Sequence, residues 1–153
     1  MIISNFFCNS NHWPRRIEKI KKIFKRTIKQ KDLNFNDKRN YFINFVLTDD
    51  KEIKKLNLKY KNKKKATDVL TFISKTKNNN FAKNIFCDIF FSAQTLKKDA
   101  KKNNINFYDH FTHIFIHSCL HINGFTHQKY KDFRIMQHLE IKILKNLGIN
   151  NPY

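Results

Sequence analysis

Between residues 117 and 127 the chain reads HSCLHINGFTH, which places three histidines and a glycine within eleven residues. His117 and His121 are four apart, so on a helix they share a face and both imidazoles can reach one metal ion. His113 falls on that face too, but residues 113 to 121 span roughly 12 Å at the helical rise, whereas a zinc–nitrogen bond is only about 2.1 Å long. A third ligand must therefore come from chain that has turned back. Glycine reaches the positive φ of such a turn without steric cost, and Gly124 is one of only two glycines in 153 residues. The spacing predicts a helix ending near Ile122, a turn at Gly124 and a return of His127 to the ion, with a fourth coordination position left open for water. Cys119 lies on the opposite face of the helix and reads as core. His12, His110 and His138 read as surface or hydrogen-bonded core residues, and His113 as one of these or as a partner of a ligand.

The elements that must hold this segment are legible as an alternation. Ile2 to Phe7 reads as a strand, and Trp13-Pro14 can open a helix that carries Ile17, Ile20, Ile23, Phe24 and Ile28 at helical spacing. Tyr41 to Leu47 is rich in β-formers, and Thr48-Asp49-Asp50 with Glu52 offers capping groups for a helix bearing Ile53 and Leu56. Lys59 to Lys65 is too charged for a core and reads as a solvated loop. Val69 to Ile73 reads as a strand, Ser74 to Asn80 as a polar turn, and Ile85 to Phe91 as a second apolar strand in which Asp88 is the odd member. Ser92 can cap a helix carrying Leu96 and Ala100. Helices are expected from about Tyr108 to Ile122 and from about Asp132 to Leu147, the last stopped by Gly148. With 41% hydrophobic residues, including sixteen Phe, five Tyr and one Trp, residues 1–153 suit a single domain with a core of its own. The expectation is an α/β fold: a small mixed sheet of about four strands packed with helices, strand order open, and the metal site at a helix–turn.

Lys and Arg number 31 against 12 acids, for a net charge of +19. Such a field gathers polyanions and makes their binding depend on salt, which points to nucleic acid. Lys, Asn, Ile and Phe are also favoured by A+T-rich codons, so compositional drift is the other source of the charge. Cys8, Cys87 and Cys119 are far apart and odd in number, with no CxxC pair, so no disulfide partner is expected and a reducing compartment fits. The start lacks a basic region followed by a sustained apolar run, and no stretch approaches the roughly 18 apolar residues of a membrane span. A cytoplasmic protein without a membrane partner is expected.

The spacing HxxxHxxGxxH is shared with the metzincin proteases, which place a glutamate after the first histidine to activate water for attack on a peptide. Here that position is Ser118, and a serine hydroxyl is no base near neutral pH. The wider set of residues resembles the bacterial YbeY endoribonucleases, whose motif runs H-G-x-x-H-L-x-G-Y-D-H. His117, His121, Gly124 and His127 match in place, Ile122 and Phe125 are conservative, and Ser118 and Thr126 stand where that family has glycine and aspartate. Leu56-Asn57 with Tyr60, followed by Thr67 to Phe72, resembles the family's LN-x-x-YR and T-[ND]-VLSF segments. Asp88-Ile89 is similar to its GD-[IV] strand, with Cys87 in place of the glycine. Leu139-Glu140, Leu144, Leu147-Gly148 and Pro152-Tyr153 are similar to its last helix and PY tail. The similarity covers nearly the whole chain and is strongest from Leu56 onward.

The resemblance implies a single α/β domain with one zinc ion per chain on the three histidines. It also implies metal-dependent, single-strand-specific cleavage of RNA in 16S rRNA 3′-end maturation and ribosome quality control, with ribosomal RNA and the ribosome as partners. The family's arginine after the tyrosine is Lys61 here. Lysine keeps the charge as a point cation but loses the planar two-pronged geometry. Lys61 is thus the candidate for neutralising charge at the phosphate, and Lys63, Lys64 and Lys65 for attracting the RNA backbone. Two other functions stay open at this point: a non-catalytic zinc-containing factor associated with the ribosome, and a zinc metallopeptidase.

Overall fold

A computed structural model describes residues 1–35, 38–76 and 83–153. Four strands, β1 (Ile2–Cys8), β2 (Arg39–Thr48), β3 (Val69–Thr76) and β4 (Lys83–Ser92), accompany five helices: α1 (Ile17–Thr27), α2 (Asp50–Lys61), α3 (Ala93–Lys102), α4 (Phe107–Ile122) and α5 (Tyr130–Asn146). The described residues gather into two compact units, one from residues 1–15 and 36–99, the other from residues 16–35 and 100–153.

The first unit holds the sheet, in the order β1-β2-β4-β3. β1 and β4 both run parallel to β2, and β3 pairs antiparallel with β4. Period-two alternation sets the faces. Tyr41, Ile43, Phe45 and Leu47 of β2 are buried together with Ile85, Cys87, Ile89 and Phe91 of β4. The other face explains Asp88: Asn5 donates to Asn44 at 3.1 Å, and Asn44 to the Asp88 carboxylate at 2.8 Å, a polar ladder across three strands. Trp13 is fully buried, and its indole nitrogen donates to the Thr48 carbonyl at 2.7 Å.

Asp49 caps α2 by accepting from the Glu52 amide at 3.0 Å, as the sequence led one to expect. The other end of α2 corrects the sequence reading. Lys59, Tyr60 and Lys61 belong to its last turn rather than to a loop, and the helix stops at Asn62, whose φ of 53° is left-handed. Lysine is a good helix former and suits the negative end of the helix dipole, so a basic run does not by itself end a helix. At the start of α3 the Ser92 hydroxyl donates to Asp50 at 2.5 Å, beside Thr95 at 2.6 Å. β3 runs three residues past Ile73, because Ser74, Lys75 and Thr76 still pair with Phe86, Ile85 and Asn84. Of the turn expected at Ser74 to Asn80, Lys77 to Asn80 lie outside the described residues.

The second unit is helical. Phe24 of α1 meets Phe111 and Phe115 of α4 edge to face, at centroid distances of 5.8 and 4.4 Å. α5 buries Met136, Glu140, Ile143 and Leu144, a stripe at helical spacing that includes one acid. Lys142 and Asn146 of α5 hold Asp32 at 2.6 and 3.2 Å. All three cysteines are free thiols, and no helix among the described residues is long and apolar enough to cross a membrane.

Candidate metal centre

α4 delivers the first two histidines on one face, their ring centroids 4.6 Å apart and their Nε2 atoms 3.0 Å apart. The helix then closes in a Schellman turn: the Gly124 amide donates to the His121 carbonyl at 2.9 Å and the Phe125 amide to the Leu120 carbonyl at 3.0 Å. Gly124 sits at φ 94° with no atom within 4 Å of where a Cβ would stand, so the backbone angle, not space, demands glycine. Apart from Gly148, the other left-handed turns among the described residues are made by asparagine, at Asn34, Asn62 and Asn104, whose φ values of 49–53° lie in the narrower left-handed well that asparagine tolerates. Beyond the turn, His127 brings its ring centroid to 5.2 Å from His117 and 5.0 Å from His121. One nitrogen from each of the three lies within 4.8 Å of the others, so the group can hold a metal ion. Tetrahedral zinc with nitrogens at about 2.1 Å sets them roughly 3.4 Å apart.

The backs of the rings decide what the fronts offer. His121 Nδ1 lies 2.9 Å from the Phe125 carbonyl, which only accepts, so Nδ1 carries the proton and Nε2 presents a lone pair. His117 Nδ1 lies 2.6 Å from Glu140 Oε1. Burial would raise the Glu140 carboxyl, but hydrogen bonds from His113, His117 and Tyr153 and the charge near His117 bring it down to about 2. It is therefore an ionised acceptor at neutral pH, and His117 also turns an Nε2 lone pair forward. Two lone pairs 3.0 Å apart repel unless a cation lies between them. A proton can serve one pair, yet burial first and His117 second lower the affinity of His121 for one. A third nitrogen, from His127, is of use to a metal ion and not to a shared proton. The donor set fits a metal.

His117, His121 and His127 are thus brought together as the spacing predicted. Glu140, which the sequence reading did not single out as a site residue, is the residue that orients His117. Its side chain is 1% exposed; one oxygen takes His117, the other takes His113 Nε2 at 3.1 Å and the Tyr153 hydroxyl. Burial and this bond raise the Tyr153 phenol well above its ordinary value. The signal was present in the α5 stripe, since an acid at a core position needs a partner. His113 bonds to Glu140 rather than to the histidine group. Cys119 is core at 0% exposure. Ser118 is equally buried and donates to the Ile114 carbonyl at 3.1 Å. His12 and His138 are exposed and His110 is buried. Lys61, Lys63, Lys64 and Lys65 are all exposed and belong to the sheet-bearing unit, Lys61 on the last turn of α2 and the others in irregular chain beyond Asn62. In that run the Asn57 side-chain amide donates to the Lys65 carbonyl at 2.8 Å, and the Lys63 amide donates to the Asn57 carbonyl at 3.1 Å.

Comparison with known proteins gives this geometry a family. The family model described as Endoribonuclease YbeY matches residues 7–148. The Endoribonuclease YbeY of Francisella philomiragia is 36% identical over 114 residues, covering 72% of each chain. That of Francisella tularensis subsp. novicida is 35% identical over 114 residues, covering 72% of this chain and 70% of its own. A protein of Thermotoga maritima whose structure was solved in solution shares the fold, with a TM-score of 0.55 at 20% identity over 97% of this chain and 92% of that one. The family match runs from β1 through the histidine segment to the end of α5, and the chain belongs to the endoribonuclease YbeY family.

Proposed function

We propose that this chain is a zinc-dependent endoribonuclease that cuts single-stranded RNA in the cytoplasm, acting in 16S rRNA 3′-end maturation and ribosome quality control, with residues 1–153 working as one domain. The observation that carries the reading is the convergence of the His117 and His121 Nε2 atoms to 3.0 Å, each ring fixed from behind and His127 closing on the same point. The Francisella relatives are endoribonucleases by name, which supports RNA as the substrate.

In this reading His117, His121 and His127 hold one zinc ion, which when bound supplies a Lewis acid at the phosphate. Glu140 keeps His117 in the tautomer that offers Nε2 to the ion. His113 and Tyr153 hold Glu140 ionised and in place. Lys61 neutralises charge that develops on the phosphate, as a point cation. Lys63, Lys64 and Lys65 attract the RNA backbone without reading sequence. Ser118, where a metallopeptidase carries its glutamate, spends its hydroxyl on the Ile114 carbonyl inside the molecule and offers no base. That favours a phosphodiester over a peptide as the bond that breaks.

Metal content and cleavage of 16S rRNA 3′ fragments, measured on one preparation, test the proposal. The expected outcome is one zinc per chain, with cleavage that a chelator abolishes and zinc restores. His121→Ala should lose both zinc and cleavage while staying folded. Lys61→Ala should keep its zinc and cut about tenfold more slowly, the cost of one charge-assisted contact. Zinc-loaded protein inert toward RNA would overturn the nuclease reading and favour a non-catalytic ribosome-associated factor.

A further inference from the structure

Beside the histidine group lies a cavity of about 160 Å³, with His117 and His127 on one side and Phe133, Met136, Gln137, Glu140 and Tyr153 around the rest. Its capacity is that of one six-membered ring: an apolar protein cavity of about 150 Å³ takes up benzene, whereas drug-sized ligands need roughly 300 Å³ or more. The surface these residues present to it is almost wholly apolar, since the Glu140 oxygens are taken up by His113, His117 and Tyr153. Met136 is buried, while Phe133 and Tyr153 keep 39% and 54% of their surface open. Two exposed aromatic rings next to a polar group are what unstacked bases of single-stranded RNA settle on.

The amide in the lining has a fixed sense. Gln137 Oε1 accepts from Arg134 Nη1 at 2.9 Å, so Nε2 carries the hydrogens. Among the described residues no hydrogen bond engages that nitrogen, so it keeps its hydrogens for an incoming acceptor. Every pyrimidine base offers one in its ring carbonyl.

We propose that this cavity receives a single pyrimidine base of the RNA whose phosphate lies at the histidine group, with Phe133 and Tyr153 against the ring and Gln137 Nε2 donating to a ring carbonyl. The inference rests on the RNA-cutting reading above and names which base it takes. Base and phosphate of one nucleotide are a few ångströms apart, and the cavity shares His117 and His127 with the group where the phosphate would sit. The net charge of +19 favours a polyanion over a free heterocycle as the source of the ring. A volume of about 160 Å³ matches a single ring, which favours a pyrimidine over the two-ring purine.

The test uses zinc-loaded protein and short 2′-O-methyl oligoadenylates in which one central nucleotide is uridine, adenosine or abasic. The parent should bind the uridine strand about tenfold more tightly than either of the others, the range of one base stacked on an aromatic side chain. Phe133→Ala should lose that difference while binding the abasic strand as the parent does, and Gln137→Leu should narrow it. With unmodified strands the parent should cut beside the uridine and Phe133→Ala should cut without preference. Equal affinity of the parent for all three strands, or a uridine preference kept by Phe133→Ala, would overturn the subsite even where zinc-dependent cutting upholds the nuclease reading. A parent that selects uridine but never cuts would do the reverse.

Discussion

The histidines at the end of α4 and the lysines at and beyond the end of α2 are both candidates for meeting RNA, and they are held in opposite ways. His117 and His121 each have the rear nitrogen tied, one to a buried carboxylate at 2.6 Å and one to a backbone carbonyl at 2.9 Å. Lys61, Lys63, Lys64 and Lys65 are exposed, and among the described residues none of their ammonium groups makes an ion pair. Folding has already met the entropy of ordering the imidazoles, whereas each lysine would have to be ordered on contact. The difference teaches where specificity resides: a change at the histidines should be steep and local, a change at the lysines shallow and sensitive to salt.

The largest effect on that contrast should come from Glu140→Gln, which keeps the shape and removes the charge behind His117. Metal affinity, read by competition with a chelator, should fall about 10–100-fold, the usual cost of losing a ligand's orienting partner. Affinity equal to the parent's would mean that the histidines are not held by their backs, and the contrast with the lysines would fail. The same change has a signature in acid. In the zinc-free protein the Glu140 carboxyl titrates at about 2 against an ordinary 4.5, so its stabilisation is fully present above the higher value and lost as pH falls toward the lower. Glu140→Gln should unfold without that step, as followed by circular dichroism across the same range. A smaller effect is expected from replacing Lys63, Lys64 and Lys65 together by alanine. The slope of log affinity for single-stranded RNA against log salt should become shallower by about 2, three contacts at roughly 0.7 each. An unchanged slope would remove these lysines from the RNA surface.

What was legible in the sequence was what local geometry decides. The spacing of His117 and His121, and the glycine that lets the chain come back with His127, are properties of one helix and one turn, and both stand as expected. So does Gly148, at φ 77° after α5. Glu140 was hidden because its role depends on α5 packing beside α4, 23 residues away from His117, a contact that no local spacing announces. The order of the strands was likewise closed to local reading, since β4 enters between β2 and β3. Polar runs misled in a consistent direction. Lys59 to Lys61 and Ser74 to Thr76 looked like loops because they carry no apolar pattern, yet a solvated helix end and an edge strand need none.

The central claim is that three imidazole nitrogens share one zinc ion, and X-ray absorption at the zinc edge of the loaded protein tests it most directly. The account predicts a first shell with three imidazole nitrogens at about 2.0–2.1 Å and one further light atom, reduced to two imidazoles in His127→Ala. A shell containing sulfur at about 2.3 Å, or one unchanged by His127→Ala, would contradict it.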